Sequence, residues 1–236
     1  MYFKFTGIYM NRLVLALTFP VVATLTGCAA GNSYLANRTT TVEMYHIFDI
    51  KTNAGTGVVV KAAADGLAQN TSDINQVTPL QMGKTVPVEP GRFVIEDVGA
   101  KLAASNAGLG ALMQMGAMQN GGVSMKAAKC DDAVWTSRAL RSIAGSSNLT
   151  LYSCLYKYQA GYRLDTYAVF QKTEGGLSQV SRDIANSIVG TPEQWVNKTI
   201  LDTVHAIENA TGTKAVRLEG QPELTDLPNG SLVGKN

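Results

Sequence analysis

Acid–base and metal chemistry draw first on histidine, and this chain has only two. His46 lies in the alternating run VEMYHIFDIK over 42–51, beside Met44 and Phe48 in face order. His205 lies at the edge of an apolar stripe in a C-terminal helix. Each reads as a packed or boundary residue rather than a catalyst, and neither is expected to hold a metal. No G-x-S-x-G, H-E-x-x-H or complete phosphate loop occurs. The nearest pattern is Gly83-Lys84-Thr85, but Thr78 stands where the first glycine belongs and a proline-bearing stretch surrounds it. Asp131 and Asp132 are adjacent, so their carboxylates project in different directions; they read as a turn or a solvated strand start rather than a cation site. No catalytic residue, cofactor or metal is therefore expected.

Two groups of residues suit recognition instead. Tyr152, Tyr156 and Tyr158, with Tyr167, are interleaved with Lys157, Arg163 and Asp165. Tyrosine offers apolar area with a polar tip, which fits a surface for peptide, glycan or protein; half-buried sheet packing is the competing reading. Met113, Met115 and Met118 lie in a Gly/Ala/Met-rich insertion over 99–122. Flexible thioethers suit an adaptable docking element, and a poorly ordered loop is the alternative.

The N-terminus carries the most specific signal. From Met10 it reads MNRLVLALTFPVVATLTGCAA: a cation at Arg12, an apolar run from Leu13 to Leu25, then small residues. This is signal-peptide anatomy, complete without the nine residues before Met10. The run is about two thirds of the length a spanning helix needs, and Pro20 interrupts it. Leu25-Thr26-Gly27-Cys28 resembles the lipobox of bacterial lipoproteins. That resemblance implies cleavage before Cys28, lipidation of its sulfur and attachment to a membrane, which is then one expected partner, an envelope protein being the other. Several acyl chains make release negligible. Ala29, not being Asp, resembles the outer-membrane default, which implies a periplasm-facing location. An ordinary secretory leader is the alternative.

The same resemblance bears on the other cysteines. With Cys28 assigned to lipid, Cys130 and Cys154 remain as an even pair in an oxidising periplasm and imply a disulfide. A simple hairpin through 145–148 puts Cys154 near residue 139, so the chain before Ala133 must fold back for the bridge to close. The six N-x-[ST] sequons, at Asn37, Asn70, Asn148, Asn197, Asn209 and Asn229, then count as turn and cap chemistry rather than glycan sites.

Charge narrows the partners. Lys4 and Arg12 are the only charged residues among the first 27, so of 20 cations and 18 acids the remaining body keeps 18 of each. A neutral body without a basic cluster excludes ordinary nucleic-acid binding, which depends on neutralising several phosphates.

The elements that must position these residues follow from periodicity. After a small, polar tether over 28–41 come a strand at 42–51, a helix at 57–69 capped by Thr56, a loop at 71–90 and a short strand at 92–98. Three alternating runs, 133–143, 149–158 and 162–172, form an antiparallel meander. In its middle run Leu149, Leu151 and Leu155 share one face while Tyr152, Cys154, Tyr156 and Tyr158 share the other, so both faces are expected to be covered. A helix over 178–189 precedes a second one that opens with Thr191-Pro192-Glu193-Gln194, a capping box with proline at its first position, and ends at Gly212. A strand over 214–219 and a tail over 221–236 close the chain. The order predicts one α+β domain over 42–220: a mostly antiparallel sheet with helices on one face. The expected function is a non-enzymatic interaction or structural module anchored in the envelope; the alternative is a periplasmic binder of a small molecule, glycan or peptide.

Overall fold

The computed structural model describes residues 38–81, 83–105, 108, 111, 126–141, 149–174, 190–222 and 224. The expected signal peptide, Cys28, Met113, Met115, Met118, the expected turn over 145–148, the expected helix over 178–189 and the tail beyond 224 lie outside the described residues.

In chain order the elements are β1 (Arg38–Ile50), α1 (Thr56–Ala68), β2 (Ile74–Val77), β3 (Val94–Asp97), α2 (Val98–Ser105) and β4 (Lys126–Lys129). β5 (Trp135–Arg141), β6 (Leu149–Tyr158), β7 (Gly161–Glu174), α3 (Pro192–Thr211) and β8 (Val216–Gln221) follow. Six strands form one antiparallel sheet in the order β2-β5-β6-β7-β1-β8, and β3 pairs with β4 separately. The fold is α+β.

Two-residue alternation gives the sheet two apolar faces. Phe48, Trp135, Leu149, Leu151, Leu155 and Leu164 meet α1 and α3 on one side. Ile47, Cys154, Tyr156, Tyr167 and Val169 meet Phe93 and Ala133 on the other. Both sides of β6 are covered, as its pattern requires. α3 carries the expected start: the Thr191 hydroxyl accepts from the Gln194 N–H, the Gln194 side chain accepts from the Thr191 N–H, and Gly212 ends the helix in the left-handed conformation. Asn70 joins the two helices, donating to Asp202 and accepting from Lys198 and, through its carbonyl, from the Trp195 indole.

Four local differences from the sequence reading have physical causes. β1 begins at Arg38 rather than Val42, because β7 supplies partners for Thr39, Thr40 and Thr41 as far as Glu174. The expected loop over 71–90 contains β2, an edge strand too short and too exposed to alternate visibly. The expected insertion begins with α2, whose second residue's neighbour Ala100 donates its N–H to Asp97 at 2.8 Å. Gly55, not Thr56, caps α1; the Thr56 hydroxyl instead lies 3.1 Å from that of Tyr162.

Candidate functional site: a cleft beyond the end of β5

β5 begins at Trp135, opposite Leu155, whereas β6 runs three residues further to Tyr158. The sheet therefore has a step, and a turn over 130–134 shapes it. Asp132 adopts a left-handed conformation (φ 61°), which Asp tolerates better than most residues. The fold-back carries Cys130 over the sheet to within disulfide distance of Cys154, their Cα atoms 5.6 Å apart. Cys154 faces Thr136 rather than residue 139, because the β5–β6 connection spans seven residues, 142–148.

A strap over 78–91, rich in prolines that donate no backbone hydrogen bond, crosses the step. It is tied at intervals. Lys84 Nζ bridges to Asp132 at 2.7 Å, Gln81 Nε2 donates to the Ala133 carbonyl at 3.3 Å, and the Gln159 N–H donates to the Pro87 carbonyl at 2.9 Å. Gly91 rests on the Tyr156 ring so closely that a Cβ there would come within 2.6 Å of Cδ1. Just beyond, the Phe93 N–H donates to Asp165 at 3.1 Å. Between strap, turn and sheet step lies a cleft of about 880 Å³, walled by Leu80, Val86 and Val134 and by Thr56, Lys84 and Lys157.

The polar groups around it pair with one another. The Lys84 hydrogen bond keeps the Asp132 carboxyl below its ordinary value. Lys157 Nζ donates to Thr56 Oγ1 at 3.2 Å and sits 5.9 Å above the Tyr162 ring. Tyr156 is 1 % exposed, and its hydroxyl has no hydrogen-bond partner among the described residues. Burial, reinforced by Asp165, pushes that phenol well above its ordinary value, so it stays protonated. Behind it, burial raises Asp165, against the Arg163 guanidinium whose Nε donates to it at 2.9 Å. Tyr158 donates to Asp49, and burial followed by that bond pushes its phenol up to about 12.

These positions revise the tyrosine reading. Tyr156 and Tyr158 are 1 % and 9 % exposed, Tyr156 packed in the second core and Tyr158 held by its bond to Asp49, so they pack instead of presenting a surface. Tyr152 is half-buried against Tyr167, ring centroids 6.2 Å apart. His46 is fully buried within β1, and His205 is half-buried on α3. Asp131 and Asp132 diverge, pairing with Lys129 and Lys84 respectively. Gly83-Lys84-Thr85 lies in the strap with no helix after it, unlike a phosphate loop. Among the described residues no group of three or more His, Cys, Asp or Glu converges as a metal site. Sequence reasoning missed Thr56, Lys84 and Lys157 as neighbours; the density of prolines at 79, 87 and 90 was the available hint of a built strap.

No family model, no curated protein and no solved structure matches this chain.

Proposed function

We propose that this chain is a lipid-anchored envelope protein whose domain binds a small molecule or peptide in the cleft without converting it. The cleft carries the reading. Its volume falls within the range of pockets that enclose small ligands, and it combines apolar walls with a few convergent polar groups. Among the described residues the contact nearest to a nucleophile–base pair is Thr56 with Lys157, and there the amine donates to the hydroxyl instead of accepting from it. The lipobox resemblance at Leu25–Cys28 supports the address, and a pairing of Cys130 with Cys154 suits an oxidising compartment. Docking of an envelope protein is the second reading, favoured by the exposed Val94, Ile95, Val98 and Leu102 on the small layer.

The test is a thermal-shift screen of the full chain against fractionated envelope extract, run beside Thr78→Trp, which fills the cleft mouth from the exposed strap. A ligand that binds only the native state raises its melting temperature. At least one fraction should stabilise the wild type and not the variant. If no fraction separates the two proteins, the cleft is not a binding site.

A further inference from the structure

The step in the sheet has a backbone consequence. In an antiparallel ladder, residues two apart on a strand direct their N–H and C=O to the same side. The Leu155 carbonyl accepts from the Val134 N–H at 2.8 Å, so Leu155 faces β5. Lys157 therefore also faces that side, but β5 has already ended there. Its register partner on β7 is Tyr162, next to the two-residue turn that joins Tyr158 to Gly161, and this is a position where the paired residues point their polar groups outward. The next residue facing the same way, Gln159, is met by the Pro87 carbonyl of the strap. Lys157 thus presents one N–H and one C=O of a sheet edge to the cleft, between Val134 on one side and Pro87 on the other, with no main-chain partner among the described residues.

We infer that the cleft takes an extended peptide as a short added strand, main chain paired to Lys157, with an acidic side chain directed to the Lys157 ammonium. This deepens the binding reading above and rests on it. A ligand backbone restores the two ladder bonds that the truncated β5 leaves open, the mode by which exposed sheet edges recognise peptides. The acidic preference follows from charge. Of the charged side chains that line the cleft, Lys84 is paired with Asp132, Glu89 lies on the strap, and Lys157 has among the described residues only the Thr56 hydroxyl and the Tyr162 ring as partners. Thr56 opens α1, whose first turn contains no acidic residue and whose cap makes no side-chain hydrogen bond, so the helix end adds to the positive potential. Alternating side chains of the ligand would otherwise meet the apolar walls at Leu80, Val86 and Val134.

The experiment uses the full chain in detergent micelles with an acetylated pentapeptide amide of alternating valine and glutamate. Amide exchange and calorimetric titration are followed together. Addition of the peptide should slow exchange of the Lys157 N–H at least tenfold. A twin peptide methylated on alternate backbone nitrogens loses the hydrogen bond it would donate to the Lys157 carbonyl and should bind about fivefold more weakly. Lys157→Gln should weaken the glutamate peptide severalfold and leave its glutamine analogue unchanged. Equal binding of the methylated twin overturns strand addition. So does failure of both this peptide and a randomised pentapeptide pool to protect Lys157. If the thermal-shift screen still separates wild type from Thr78→Trp, the cleft reading survives that failure; if it does not, both fall.

Discussion

Replacing Cys130 and Cys154 together with alanine probes the wall of the cleft most sharply. The two lie 24 residues apart in sequence. Closing a loop of that size in the unfolded chain lowers its entropy enough to stabilise the native state by about 3 kcal/mol. Besides the bridge, the layer they fasten is tied to the sheet by the Arg92–Glu219 and Lys126–Glu43 ion pairs and by the Phe93 N–H on Asp165. β3 and β4 are four residues each, a two-stranded pair is marginal alone, and the second core receives Ala128 from that pair and Phe93 and Ala133 from its flanks. For a domain of this size each kcal/mol shifts melting by about 2–4 °C, so the double variant should melt about 6–12 °C below the wild type. Calorimetry reads that shift, and the wild type under reductant should follow the variant. Exchange of the β4 amides should accelerate first, because β4 ends beside Cys130. A melting temperature within about 2 °C of the wild type would refute the reasoning, as would two freely alkylated thiols in the unreduced native protein.

Three further outcomes follow from packing and burial. Gly66→Ala should destabilise by about 1–2 kcal/mol in chemical denaturation: a Cβ there comes within 2.6 Å of Thr203 Cα on α3, and overpacking outweighs the gain in helix propensity. Gly57→Ala, with nothing within 4 Å, should lose nothing. Tyr158 has its folded value pushed to about 12, above the unfolded value near 10, so its stabilising share is present below about pH 10 and lost between there and about 12; Tyr158→Phe should flatten alkaline unfolding over that window. Asp165 is also raised, chiefly by burial, so the folded chain holds that proton longer than the unfolded one. Stability should therefore fall as pH rises from the ordinary carboxylate value towards the raised one, and Asp165→Asn should remove that slope in melts across the acid range.

How far the sequence could be read depended on range. The α3 capping box, its buried stripe at Val196, Ile200, Val204 and Ile207 and the two-faced alternation of β6 are local patterns, and they appear in the fold where periodicity places them. β2 and β4 escaped because four residues carry too little alternation; each exists only through its partner strand. The fold-back before Ala133 followed from the cysteine spacing, but its left-handed Asp132 did not. The cleft was illegible for the same reason at larger scale. Lys84 and Asp132 are 48 residues apart, and Thr56 and Lys157 are 101 apart. They meet only because β5 stops three residues short of β6, a length difference that no single segment encodes. Of the tyrosines, Tyr156 follows the sheet-packing alternative, under a small layer whose identity no local pattern announces.

Native mass spectrometry of the full chain extracted from its membrane, alone and as Thr78→Trp, tests anchoring and binding in one measurement. The account predicts a mature chain starting at Cys28 with acyl mass on that residue, and a non-covalently held ligand on the wild type that the variant lacks. An unacylated N-terminus, together with identical, ligand-free spectra for the two proteins, would contradict it.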